Sequence, residues 1–370
     1  MFSILVLNAL PTLANDSFSF STRIFIDGDY LGAYYQKDSD ENTDFRSHLE
    51  LASLKSSLKY DITSNFKAKL QIEYKKESEE DYKDEFQIDD FYLKYDINRT
   101  SSIKLGQFKE PMGHERLMGS SSLPTIERSI TTNAFAPGRN PGIAYEFGNQ
   151  SATFHIGHFN IADDDFENGK ATTARATYGT IISSHLIHIG TSISSREFDN
   201  SNFQIKERGE VNSADNIIRS AQFNATDQDI YQGEIGVLVN DIWIMSEVYQ
   251  TEIKQASFDT WQYQGFYLQA SGLLNFSKLI SDSDYEYKNG EFDKRKAKAG
   301  DIEWVARYSG LNLRDNQIGG EASSFLLGLN YYMKKKLSVM TNILFPDISG
   351  NVVNTNQDGY AVSLRLKYEF

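Results

Sequence analysis

The chain has 370 residues, with 37 Lys and Arg against 51 Asp and Glu and a formal net charge of −14. That balance argues against a chain-wide nucleic-acid-binding surface, and the lack of cysteine excludes disulfides and thiol chemistry. Mean hydropathy is −0.47 and no run of about 18 apolar residues occurs, so no membrane-crossing helix is expected. Aromatics nevertheless make up 13% of the chain, with 24 Phe and 21 Tyr.

Residues 1–14 contain "FSILVLNALPTLA", an apolar stretch ending in small residues before Asn15 and Asp16. This resembles the back half of a secretory signal without its charged leading region; the alternative is a buried first strand or helix. A single β-domain is expected over 15–370.

From Asp16 onward the pattern has a period of 2. Phe18, Phe20, Ile24 and Ile26 share a face with Gly28 and Tyr30, opposed by Ser19, Ser21, Arg23 and Asp27, with Phe25 an apolar exception. Phe66, Ala68, Leu70, Ile72 and Tyr74 alternate with Lys67, Lys69, Gln71, Glu73 and Lys75. Phe91, Leu93, Tyr95 and Ile97 alternate with Asp90, Tyr92, Lys94 and Asp96. Successive strand residues point to opposite faces. Each strand therefore has a charged face and an apolar face carrying aromatics at both ends. A soluble sandwich also alternates. Aromatic girdles paired with a consistently charged inner face are what a transmembrane barrel requires, with lipid outside and water inside.

The alternation predicts about sixteen antiparallel strands. They lie near residues 17–31, 47–61, 65–76, 86–97, 101–108, 142–148, 151–159 and 170–179, and then near 184–196, 228–240, 242–253, 261–272, 300–309, 323–333, 336–346 and 359–370. Short turns such as "DITSN", "NRT", "GNQ", "VND" and "MKKK" are placed at one end, the periplasmic one. Long polar loops at the other include "KKESEEDYKDEF", "NIADDDFENGK" and the stretch 196–229. The expected fold is therefore all-β, a single transmembrane barrel in the outer membrane of a Gram-negative bacterium. The final strand ends "YAVSLRLKYEF", with Leu366, Tyr368 and Phe370 on its lipid face. Phe370 is expected to serve as the signal by which the last strand engages the barrel assembly machinery.

Two connections break the rule. Residues 272–300 fall on the turn side yet are long, and carry Lys294, Arg295, Lys296 and Lys298 as secondary cations. These enter the lumen or form a solvated basic turn outside it. The connection after the fifth strand holds four of the six prolines, Pro111, Pro124, Pro137 and Pro141. It is too structured for a floppy loop and too broken for a strand. Folded inward, it would constrict the pore with Lys109, Arg116, Arg128 and Arg139, while Lys67, Lys69 and Lys94 line the neighbouring wall. Glu115 and Glu127 are either part of that lining or wall ion pairs that pin the loop. Other inward candidates are Arg23, Lys55, Lys59, Lys104, Arg175, Arg307, Arg365 and Lys367, with Glu73, Asp90, Asp96 and Glu303 as opposing acids.

"LGQFKEPMG", "IERS", "NAFAPGRNPGIAYEF", "GFYLQASGLL", "EWVARYSGLNL", "LGLNYYM…KLSVMTNILF" and the terminal "LRLKYEF" occur in order along the chain. Together they resemble the phosphate-selective porin O and P family. The resemblance implies a sixteen-stranded trimeric outer-membrane porin for passive diffusion of small solutes. Its inward loop, with another inward segment, builds an anion-binding constriction for phosphate or related anions. The acidic outer loops and the inward carboxylates favour an anion-leaning general pore. The alternatives are a plugged structural or adhesive barrel and a barrel hydrolase. No cofactor or metal is expected: "HIGH" and "HLIH" put their histidines three apart, on opposite faces of a strand.

Overall fold

The computed structural model describes residues 17–32, 46–76, 84–161, 169–257, 259–274, 285–292, 295–350 and 359–370. The expected signal at 1–14 and Lys294 lie outside these residues. The first wall strands are β1 (Phe18–Leu31), β2 (Arg46–Asp61), β3 (Phe66–Lys76), β4 (Asp84–Asp96) and β5 (Ser101–Lys109). Two short helices follow, α1 (His114–Leu117) and α2 (Ile130–Phe135), and then β6 (Arg139–Gly148), β7 (Ala152–Asn160), β8 (Lys170–Ile182) and β9 (His185–Phe203). A small hairpin, β10 (Lys206–Glu207) and β11 (Ile218–Arg219), precedes β12 (Phe223–Val239), β13 (Ile242–Gln255) and β14 (Thr260–Leu273). A second hairpin, β15 (Tyr285–Glu286) and β16 (Glu291–Phe292), precedes β17 (Ile302–Asn312), β18 (Gly320–Lys334), β19 (Leu337–Gly350) and β20 (Ala361–Glu369).

Sixteen of these strands, all except the two hairpins, pair antiparallel with their neighbours in one closed barrel sealed by β1 against β20. Phe370 completes the seam: its amide donates to Thr22 O at 2.9 Å and its carbonyl accepts from Thr22 N at 2.7 Å. Closure leaves no unpaired strand edge, which a barrel in lipid requires. The alternation read from sequence sets the two faces. Phe18, Phe20, Tyr60, Phe91, Tyr95, Tyr331, Tyr368 and Phe370 are exposed on the outside, while Asp27, Lys55, Glu73, Asp90, Arg175, Arg307 and Arg365 are buried inside. Phe25, the exception in β1, is buried in the lumen because two guanidiniums cover its ring, Arg23 at 4.8 Å and Arg365 at 4.5 Å.

Three segments fill much of the lumen. Residues 110–138, joining β5 to β6, fold inward as their prolines and inward charges suggest. The second segment, 204–222, reverses an expectation: 196–229 reads as a polar outer loop. Instead β9 and β12 run several residues further than expected, and the chain between them turns into the barrel. Its apolar residues explain this, since Ile205, Val211, Ala214, Ile217 and Ile218 are all buried in the core shared with α2 and the wall. The third segment is the β15–β16 hairpin, whose Asn289 and Gly290 carbonyls accept from the inward Arg175 at 3.0 and 2.9 Å.

Candidate functional site

The inward loop is pinned at both helix starts by carboxylates of other segments. The first amides of α1 donate to the wall: His114 N to Glu234 at 3.0 Å and Glu115 N to Glu247 at 2.6 Å. The turn is tight. Gly113 has φ of 69°, and a Cβ there would sit 2.1 Å from the Tyr249 hydroxyl, so no side chain fits. At α2, Ile130 N donates to Glu210 of the 204–222 segment at 3.0 Å, and Ser129 caps the helix by accepting from Thr132 N. Arg307 on β17 joins the two inward segments, reaching Glu115 at 2.9 Å and Glu210 at 2.8 Å. Glu115 is therefore a loop anchor. Further along, Asn330 donates to Pro124 O, Lys367 to Ser121 O and Arg365 to Ile126 O.

These anchors hold the loop against β12–β20 and leave the opposite side of the lumen open. There, a cavity of about 670 Å³ runs between the loop and the wall from β1 through β7. Its lining includes eleven basic residues, Arg23, Lys55, Lys59, Lys69, Lys104, Lys109, Arg116, Arg128, Arg139, Arg208 and Arg365. The acids number five, Glu73, Asp90, Glu127, Glu146 and Glu291. Positive charge therefore dominates this space although the whole chain is acidic.

Ten of these eleven basic residues, all but Lys59, fall into two groups. One is matched to carboxylates. Lys55 contacts Glu73 at 2.6 Å and also Asp89, Lys69 pairs with Asp90 at 2.5 Å, and Arg139 with Asp90 at 2.6 Å. Lys104 reaches Glu146 at 2.5 Å, and Arg365 reaches Glu127 at 2.9 Å and Asp27 at 2.5 Å. The other group touches no carboxylate of the described residues within ion-pair distance. Lys109 donates to the carbonyls of Arg116, Leu117 and Met118 at the end of α1, at 2.5, 3.1 and 3.0 Å. Arg128 donates to Glu115 O at 3.0 Å and Met118 O at 2.8 Å, and Arg116 to Thr132 O at 2.9 Å. Arg23 donates to Ser120 Oγ at 3.0 Å and Arg208 to Asn212 O at 3.3 Å. Backbone carbonyls and a hydroxyl hold these side chains in place without cancelling their charge.

Burial and the like charge of Arg128 pull the Arg116 guanidinium down to about 10, and burial lowers Arg128 as well. Arg116 thus stays charged at neutral pH. One donor on each of Arg116 and Arg23, the Nε, finds no hydrogen-bond partner among the described residues.

The sequence candidates are thus not equivalent. Lys109, Arg116, Arg128, Arg139 and Lys69 all reach the cavity, but Lys69 and Arg139 are paired to acids. Lys67 and Lys94 are not in the lining; they pair with Asp96 at 2.8 Å and Glu146 at 2.6 Å. The secondary cluster does not project into the lumen as a group. Arg295 is fixed by Glu303 at 2.6 Å and Asp241 at 3.2 Å and stacks on Trp243, while Lys296 and Lys298 are exposed. The hairpin before them enters the lumen, bringing Glu291 to the cavity. Arg208 was missed because its segment reads as polar loop. The only signal was a few scattered apolar residues, Ile205, Val211, Ile217 and Ile218, in an otherwise polar stretch.

A profile of the family described as phosphate-selective porin O and P matches residues 21–370. Among solved structures, an anion-selective porin from Comamonas acidovorans is 12% identical, with TM-score 0.58 and coverage of 96% of this chain and 99% of that one. The outer-membrane channel DcaP of Acinetobacter baumannii is 11% identical, with TM-score 0.58 and coverage of 95% and 97%. In vitro folded OmpT, an outer-membrane protein of Vibrio cholerae, in its trimer form, is 10% identical, with TM-score 0.57 and coverage of 96% and 99%. No protein with a curated description matches the chain.

Proposed function

The chain belongs to the phosphate-selective porin O and P family, a porin of the Gram-negative outer membrane, and on that premise we propose that its passive channel favours anions. The observation that carries the reading is the cavity wall, where Arg116, Arg128, Arg23 and Arg208 present charge that no carboxylate of the described residues cancels. In a narrow passage with low-dielectric walls such charges raise the local anion concentration, whereas the same charges in a wide vestibule are screened within about 8 Å at physiological salt. Arg116 and Arg128 offer planar forks suited to oxyanions such as phosphate, while burial and the like charges of Arg128, Arg139 and Arg116 pull the Lys109 ammonium well below its ordinary value, so the arginines carry the charge. Several contacts of moderate strength release an ion more readily than one deep site. The five carboxylates in the same wall temper the preference, so the pore leans to anions without rejecting other small solutes.

The functional assembly is proposed as a homotrimer, in line with the trimer form described for the structurally similar outer-membrane protein. The lumen is a passage and not a catalytic site. A second reading, a barrel plugged by its own inward segments, draws on the β15–β16 hairpin and the 204–222 segment inside the lumen. Planar-bilayer recording separates the two. An open pore conducts, and Arg116→Glu with Arg128→Glu shifts its reversal potential in a salt gradient toward cations. Equivalent charge changes in the outer loops have little effect. Outer-loop changes that dominate instead place selectivity at the mouth.

A further inference from the structure

The β15–β16 hairpin lies between β14 and β17 in the chain, so it enters the lumen from the short-turn end. It sits in a fitted seat. Tyr285 packs on β8 where Gly179 leaves room, since a Cβ there would lie 2.5 Å from its ring. Gly236 on β12 does the same for the Phe292 ring, also at 2.5 Å. Both rings are buried with Leu186, Leu238, Trp243 and Met245 of the wall and with Met118 and Leu123 of the inward loop. Apolar burial holds the hairpin without direction; its polar contacts fix the pose.

Three of the chain's six histidines supply those contacts. His155 Nε2 donates to Lys288 O at 3.2 Å, His188 Nδ1 lies 2.5 Å from the Tyr285 hydroxyl, and His114 Nε2 accepts from Phe292 N at 3.1 Å. The His114 bond is the one that tolerates no further proton. Its Nε2 offers a lone pair to an N–H, while its Nδ1 is buried with no hydrogen-bond partner among the described residues. A second proton would set a donor against the Phe292 donor and bury a charge. The groups around the ring are His188 on β9, Arg175 on β8, Glu234 on β12, Glu247 on β13 and Tyr285 of the hairpin. His188 lies 5.6 Å from it between centroids. Glu234 is already engaged by Arg175 at 2.5 Å and by His188 at 2.9 Å, and Glu247 takes the Glu115 amide at 2.6 Å.

We propose that this hairpin is an acid-released gate, latched to the inward loop through His114. At neutral pH the latch holds, and the hairpin narrows the lumen beside the cavity that Asn289 and Glu291 line. In acid His114 takes up a proton, its bond to Phe292 breaks, and the hairpin leaves its seat. Burial and the neighbouring His188 pull the His114 imidazole down to about 3 from 6.5. Between those values each pH unit downward favours the released state about tenfold. Glu291 acts in the opposite sense. Burial raises its carboxyl to about 7 from 4.5, so its protonation favours docking as pH falls to 4.5. The two contributions nearly cancel between pH 6.5 and 4.5. Below that His114 acts alone, and by pH 3 it favours release by roughly thirtyfold.

The test measures hydrogen exchange of residues 285–292 in the full-length protein, corrected for the intrinsic rate at each pH, with bilayer conductance recorded over the same range. Wild type should keep its protection down to about pH 4.5, then lose roughly thirtyfold by pH 3 as conductance rises. Glu291→Gln removes the opposing carboxyl, so the loss should begin near pH 6.5 and reach about 3000-fold. His114→Gln puts an oxygen that takes up no proton where Nε2 accepts, and should show no acid loss and no acid rise in conductance. Protection that stays flat in both wild type and Glu291→Gln overturns the proposal, as does the same acid loss in His114→Gln. Neither readout depends on which ion the pore favours.

Discussion

Replacing Arg307 with Met removes the one cation, among the described residues, that ties segments 110–138 and 204–222 together at the wall. Its guanidinium contacts Glu115 at 2.9 Å and Glu210 at 2.8 Å, and both it and Glu210 have no exposed side-chain surface. It also donates to Glu127 O at 2.9 Å. Breaking a buried pair by deleting one partner costs about 3–5 kcal/mol, chiefly because the remaining charge stays buried and unpaired. Here two carboxylates are left. Every 1.4 kcal/mol is tenfold, so the docked state of the loop loses a factor of roughly a hundred to a few thousand relative to undocked states. The wall itself is untouched, because β17 keeps its backbone pairing to β14 and β18. The variant should insert and stay heat-resistant, yet show larger and noisier single-channel conductance with weaker anion preference. Conductance and selectivity identical to wild type would refute the argument, since the loop would then be held by something other than this ion pair.

Deleting Phe370 removes the pair of backbone hydrogen bonds to Thr22 at the seam and an outward ring that packs, tilted, against Tyr368 with centroids 5.4 Å apart. The yield of heat-resistant, membrane-inserted protein should fall; an unchanged yield counts against an assembly role. Selectivity should also depend on pH through Glu291. Burial pushes its carboxyl up to about 7, against the opposing fields of Arg175 and Lys109. A raised carboxyl is neutral below that value and charged above it, so anion preference should decline between about pH 6 and 8. Glu291→Gln should flatten that profile, and a wild-type slope that survives the substitution assigns it to another group.

Much of this architecture is legible in the sequence because lipid and water impose opposite demands on alternate residues. Phe66, Ala68, Leu70 and Ile72 cannot exchange faces with Lys67, Lys69 and Gln71 without putting charge into lipid, so which face of such a strand meets lipid follows from the alternation alone. The inward fold of 110–138 was legible from its prolines. Pairing was not. Whether a lumen cation is cancelled depends on residues far away in the chain: Arg307 and Glu115 are 192 positions apart, and Arg365 and Asp27 are 338. Sequence spacing could not separate Lys69, which is neutralised by Asp90, from Arg128, which is not. The inward turn of 204–222 was hidden because its apolar residues are scattered among as many charged ones, with no strand-like alternation. Only the barrel interior shows what Ile205, Val211 and Ile217 pack against.

The central claim is that uncancelled cations at the inward loop set the sign of selectivity in an acidic protein. It is tested most directly by the reversal potential of the wild-type protein in a planar bilayer under a potassium chloride gradient, repeated with the acidic outer loops neutralised. The account predicts a potential of the sign set by chloride permeation in both cases. A potential set by potassium, or one whose sign follows the loop charges, would contradict it.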